Sequence, residues 1–130
     1  MEISKEILGL VSDIHDSLRT RGETLSTAES LTAGGLSNAL TIVPGASDVF
    51  LGSLTAYRPE IKVSHLGVDK SVIAERTVVS EEVAIAMGHG ANKTFGSTWA
   101  IATTGVAGPG PSDGSDAGRV FVAFVGPIVQ

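Results

Sequence analysis

A three-layer α/β/α fold, with helices on both faces of a mixed sheet, is what this 130-residue chain predicts. Three observations carry that expectation. Helical and strand-like stretches interleave from one end to the other. The strand-like runs are short and rich in β-forming or small apolar residues. Glycine occurs 16 times and aromatics make up only 5%, a composition that lets layers approach closely. The length suits a single domain over 1–130.

Ile3, Ile7, Leu10, Val11, Ile14 and Leu18 share one helical stripe, and Gly22 follows Arg19 and Arg21 as a stop. Thr24–Ala28 reads as a strand running into the turn Glu29–Gly35, after which a helix extends to about Thr41. Pro44-Gly45 marks a turn, and Leu54–Tyr57 reads as the next strand. Pro59 opens a helix over Glu60–Leu66 that Gly67 closes, and Asp69 caps a short helix through Glu75. Ser80-Glu81-Glu82 starts a further helix, with Val83, Met87 and Ala91 along one face. Thr98–Thr103 reads as a buried small-residue strand, and Val120–Val125 as another strand, unbroken in its apolar character. Between them the Gly-rich stretch Thr104–Gly118 exceeds a hairpin link, so it is either mobile or a binding loop.

Composition excludes several chemistries. Without cysteine there is no disulfide, no thiolate and no Cys-type zinc site. His15, His65 and His89 stand far apart with no partner at ligand spacing, so neither a metal nor a cofactor is expected. A net charge of −5 with no Lys/Arg run argues against nucleic acid as a partner. No apolar run is long enough to span a bilayer, and Glu2, Lys5 and Glu6 do not suit a signal peptide. The expectation is a cytoplasmic protein without a membrane partner.

Three segments could carry chemistry. In Glu29–Gly35, backbone N–H groups at a helix start, with Gly34 and Gly35 allowing close approach, suit an anion. The same residues also suit an ordinary helix capped by Ser30 or Thr32. In Pro44–Lys62, a turn serine, Ser47, precedes a strand-end tyrosine, Tyr57, and a helical lysine, Lys62. A serine needs a base, and a partly desolvated lysine is the available one, with a tyrosine hydroxyl able to relay a proton; taken locally, the same residues also suit a turn serine, a strand-end tyrosine and a solvated lysine. Thr103–Pro109 either is a surface loop or places hydroxyls and bare backbone at a sheet edge, where α/β ligands usually sit.

Together these segments resemble the C-terminal domain of the competence/damage-inducible protein CinA, found also as a stand-alone nicotinamide-nucleotide amidase. The stretches that carry the resemblance are TAESLTAGG (27–35), VPGAS (43–47), LTAYRPEIK (54–62), LGV (66–68), VVSEEVAIAM (78–87) and ATTGVAGP (102–109). The resemblance implies hydrolysis of nicotinamide mononucleotide to nicotinic acid mononucleotide and ammonia. It implies Ser47 as nucleophile, Lys62 as its base, Tyr57 completing the triad and Thr104 lining the site. Ser30, Thr32, Gly34 and Gly35, with Gly105 and Gly108, are then expected around the phosphate and ribose of this small-molecule nucleotide. Family domains usually continue past the strand matched by Arg119–Val125 with another strand and a helix bearing an arginine. Ser115-Asp116-Ala117-Gly118 also stands where the family has Lys-Pro-Val-Gly. The expectation is one domain lacking that last strand and helix, whose alternative role is a non-catalytic nucleotide-binding or scaffold module.

Geometry constrains the triad. A straight strand across the ten residues from Ser47 to Tyr57 would separate their side chains by about 33 Å. A shared site therefore requires a turn within Asp48–Gly52, or a serine from another subunit. The expectation is the turn, with Ser47 beginning a short helical piece. A homo-oligomer is expected, as apolar strands near a terminus commonly associate.

Overall fold

Helix α1 (Lys5–Arg21) begins where the Ser4 hydroxyl accepts the Ile7 N–H, and ends at Gly22 in the left-handed conformation, φ 65°. The structure, a computed structural model, describes residues 2–130; Met1, the first residue of the expected domain, lies outside the described residues. Strands β1 (Leu25–Glu29), β2 (Phe50–Thr55) and β3 (Trp99–Gly105) run parallel, and β4 (Val120–Val125) runs antiparallel to β3. Their order across the sheet is β2-β1-β3-β4. The expected mixed sheet and α/β layering are present.

Alternation along the strands sorts side chains into two cores. Leu25 and Trp99 pack with Val11 and Leu18 of α1 and Leu40 of α2 (Gly35–Thr41). Ala28, Ala100, Ala102, Ala123 and Val125 face the other way, onto α3 (Pro59–Leu66), α4 (Lys70–Arg76) and α5 (Glu81–Phe95). Val83 and Met87 of α5 are wholly buried there, each contributing about 1.5–3 kcal/mol over an exposed position. Ser80 accepts the Val83 N–H at the start of α5, and Asp69 accepts the Ser71 N–H at the start of α4. No helix among the described residues is long and apolar enough to cross a membrane.

The strands begin and end within two residues of expectation at β1 and β3, and the largest difference is at β2. β2 begins at Phe50 and ends at Thr55, whereas the sequence suggests Leu54–Tyr57. Gly52 disguises its start, because the Phe95 ring lies 2.8 Å from where a Cβ at residue 52 would stand. Its end comes early because, after the last rung from the Ala56 N–H to the Glu29 carbonyl (2.8 Å), the Ala56 and Tyr57 carbonyls turn to a side chain.

The connectivity also fixes where a ligand belongs. From β1 the chain crosses by α2 to β2 on one side, then by α3, α4 and α5 to β3 on the other. The two crossovers diverge at β1, and in open α/β sheets such a switch point opens a crevice beyond the strands' carboxyl ends.

Candidate active site

A cleft of about 450 Å³ occupies that crevice. Ser30 and Leu31 after β1, Tyr57 after β2, Thr104 and Gly105 at the end of β3, and Lys62 from α3 line it. Ser112 and Asp113 close one side. The long Thr104–Gly118 stretch is thus folded against the cleft. The Asp113 carboxylate accepts the Val78 N–H at 2.6 Å, and the Gly118 N–H donates to the Val106 carbonyl at 2.7 Å.

Lys62 is the centre of the arrangement. Pro59 starts α3 immediately after β2, so the first turn of the helix carries Lys62 back over the strand end. Its side chain is 1% exposed. Nζ lies 2.8 Å from Ser30 Oγ, 2.7 Å from the Ala56 carbonyl and 3.0 Å from the Tyr57 carbonyl. Among the described residues no carboxylate forms an ion pair with it. Burial lowers its pKa from 10.5 to about 8, with the Glu60 carboxylate acting in the opposite direction. A neutral amine has two N–H groups and one lone pair, which match two carbonyls and one hydroxyl.

The partner hydroxyl is therefore Ser30, and the expected pairing of Ser47 with Lys62 within one chain is corrected. Ser47 does sit in a short helical piece, a 3₁₀ turn over Ala46–Asp48. That turn precedes β2, however, and Phe50 at the start of β2 pairs with Leu25 at the start of β1. Lys62 binds beyond the other end of β2, whose six residues span about 20 Å. Ser47 is exposed in a separate groove with Ile42, Pro44 and Phe50. Tyr57 also takes a different part: its backbone carbonyl meets Lys62, while its side chain is 64% exposed at the cleft rim.

The expected phosphate turn is corrected too. Glu29, wholly buried, turns its carboxylate into the start of α2. Oε1 accepts from the Gly34 and Leu36 N–H groups (3.2 and 2.9 Å), and Oε2 accepts from the Ser37 N–H (2.9 Å). The Gly35 N–H donates to the Thr32 carbonyl at 2.8 Å, and the Thr32 hydroxyl donates to Glu29 Oε1 at 2.7 Å. The chain's own carboxylate fills the anion position, so Thr32, Gly34 and Gly35 have these donors committed. Burial pushes the Glu29 carboxyl up. Hydrogen bonds from Thr32, Ser37 and Leu36 outweigh it and hold the pKa below its usual value.

Thr104 is buried on the cleft wall and donates to the Val78 carbonyl at 2.8 Å. Gly105 lines the cleft, but its lack of a side chain answers packing: a Cβ would stand 2.6 Å from the Arg119 carbonyl oxygen. Gly108 adopts φ 82° and lines a smaller neighbouring hollow with Tyr57 and Pro109. Sequence reasoning missed Glu29 and Asp113. Counting alternation from Leu25 through Thr27 puts Glu29 on the α2 face and Ser30 on the Lys62 face, a signal available for the first. Nothing local marked the second.

A family model described as the CinA C-terminal domain matches residues 8–129. A CinA-like protein of Synechococcus sp. (strain RCC307) is 46% identical over 119 residues, which is 91% of this chain and 28% of that protein. A CinA-like protein of Prochlorococcus marinus (strain MIT 9313) is 44% identical over 119 residues, again 91% of this chain and 28% of that protein. The chain thus spans less than a third of the length of these curated relatives. Among solved structures, the competence/damage inducible protein CihA from Agrobacterium tumefaciens superposes with a TM-score of 0.93 at 32% identity, covering 100% of this chain and 81% of that one. A competence-damaged protein (CinA) superfamily protein from Escherichia coli gives 0.90 at 28% identity, covering 100% and 80%.

Proposed function

The chain belongs to the CinA C-terminal domain family, and from that premise we propose that it is an acyl-transfer amidase in which Ser30 attacks a carboxamide and Lys62 moves the protons. The observation that carries the reading is the 2.8 Å contact between a buried amine and a hydroxyl at the mouth of a ligand-sized cleft.

In the first half-reaction neutral Lys62 takes the Ser30 proton while Oγ bonds to the carboxamide carbon. The resulting ammonium gives a proton to the departing nitrogen as the C–N bond breaks, releasing ammonia and leaving an ester on Ser30. Lys62 then takes a proton from water, whose oxygen attacks the ester. Collapse returns the proton to Ser30 and frees the carboxylic acid.

The substrate assigned by resemblance is nicotinamide mononucleotide, and the product nicotinic acid mononucleotide. Among the described residues Lys62 is the only cation lining the cleft, and it is committed to Ser30. The cleft therefore suits the carboxamide end of such a substrate better than its phosphate. Exposed Val122, Phe124 and Ile128 supply an apolar surface that supports the expected self-association.

Incubating the protein with nicotinamide mononucleotide and measuring ammonia tests the reading. The expected result is release that Ser30→Ala abolishes and Ser47→Ala leaves intact. Release unchanged by Ser30→Ala overturns the dyad. Calorimetric binding without turnover identifies a binding module instead.

A further inference from the structure

Resting on that dyad, we infer that Glu29 is a positioning residue for Ser30, acting through Thr32 and Thr103 to fix the backbone from which the nucleophilic hydroxyl projects. Glu29 and Ser30 are consecutive, yet alternation sends their side chains to opposite faces of the sheet. Glu29 does not touch the cleft; its influence must run through the hydrogen bonds around it.

Those bonds have only one consistent direction. A carboxylate can only accept. The single Thr32 hydroxyl proton therefore goes to Glu29 Oε1, 2.7 Å away. Thr32 Oγ1 and Thr103 Oγ1 are 2.9 Å apart, so the proton between them is supplied by Thr103. With its own proton directed at Thr32, Thr103 Oγ1 presents a lone pair to the Ser30 N–H at 3.4 Å. Each link follows from the one before, and the chain ends on the Ser30 backbone. On the other carboxylate oxygen the Ser53 hydroxyl donates at 3.2 Å and itself accepts from the Thr27 hydroxyl at 2.6 Å, binding β1 and β2 to the same anchor. The Glu29 carbonyl accepts the Ala56 N–H, and Ala56 in turn offers its carbonyl to Lys62. One residue thus fixes the supports of both the hydroxyl and the amine. The depressed pKa of Glu29 is consistent with the acceptor-only role the relay requires.

A Glu29→Gln chain cannot reproduce this arrangement, since either orientation of the amide points a donor at donors, and it risks not folding. Thr103 gives the cleaner test, being buried and absent from the cleft lining. Thr103→Val keeps the shape and removes the hydroxyl; Thr103→Ser restores the hydroxyl. Two readouts are taken: kcat and KM for ammonia release from nicotinamide mononucleotide, and the rate at which a fluorophosphonate modifies Ser30, followed by mass spectrometry. The expected result for Thr103→Val is a kcat about 10- to 100-fold lower with KM within about twofold, and labelling slowed in parallel, because small misplacement of a nucleophile costs that much. Thr103→Ser is expected to recover to within about threefold of the native rates. Native labelling with equal labelling of Thr103→Val overturns the positioning role and leaves the dyad standing. Thr103→Ser as impaired as Thr103→Val also overturns it, since packing alone would then be responsible. A native chain unmodified at Ser30, with turnover surviving Ser30→Ala, removes the dyad and this inference with it.

Discussion

Two buried ionisable groups lie back to back across one strand end, and burial treats them differently. Glu29 is wholly enclosed, yet donors surround its carboxylate and the pKa falls. Lys62 is equally enclosed, but its partners are two carbonyls and a hydroxyl, none carrying a negative charge, and its pKa falls to about 8. The same downward direction means opposite things. For the acid it records a charge made comfortable, and the group serves structure. For the amine it records a charge made uncomfortable, and the group is poised to give its proton away. In the proposed dyad, what separates a scaffold residue from a chemical one is compensation, not depth.

The largest effect that would break this contrast is expected from Lys62→Met. Turnover of nicotinamide mononucleotide should drop by about 10³-fold, the loss expected of a general base. In the native chain kcat/KM should rise with pH to a plateau, with an inflection near 8 where Lys62 loses its proton. Stability should move the other way from a useful salt bridge. The folded pKa lies below the unfolded 10.5, so the cost of the buried charge is fully present below about 8 and fades between there and 10.5. Urea melts of the native and Lys62→Met chains should therefore differ most in favour of the variant at pH 7 and converge by pH 10. A native chain that loses ground to the variant on going alkaline would refute the assignment.

Glu29→Gln should have the next largest effect, on folding rather than pH optimum. Placing an amide donor against backbone N–H groups leaves buried polar groups unmatched, at a cost of about 3 kcal/mol. The sign runs opposite to that of Lys62 in its benefit. Glu29 stabilises the native chain above its unfolded pKa, and this contribution disappears as pH falls through the lower folded value. Urea midpoints of the two chains should thus be well separated at pH 7 and draw together in strong acid. A separation independent of pH would show that the charge is not what matters.

Most of the layered fold was legible because its signals are local. Asp69 and Ser80 cap helices from their own side chains, and Gly22 and Gly67 end helices by turning left-handed. The pairing of Ser30, rather than Ser47, with Lys62 was not legible, since it depends on the parallel register that sets Leu25 beside Phe50 and Glu29 beside Thr55. No residue near Ser47 reports which end of β2 will face α3. The helix start after β1 offers donors that suit either an anion or an ordinary cap, and Glu29 takes them from within the chain. Its occupant was missed because the sequence offers an external ligand and an internal Glu29 on the same terms, and only the direction of a side chain separates them.

The smallest effect sharpens the comparison from the other side. Tyr57→Phe removes the hydroxyl expected to complete a triad while keeping the backbone carbonyl that Lys62 binds at 3.0 Å. The ring is 64% exposed, so its hydroxyl reaches water and contributes little to folding; stability should stay within about 0.5 kcal/mol. Because the environment of Nζ is made of Ser30 and two main-chain oxygens, the alkaline inflection should stay near 8 and kcat should change by no more than about twofold. Should the inflection move by a full unit, the phenol would be acting on the amine after all, and a third side chain would have to be added to the dyad.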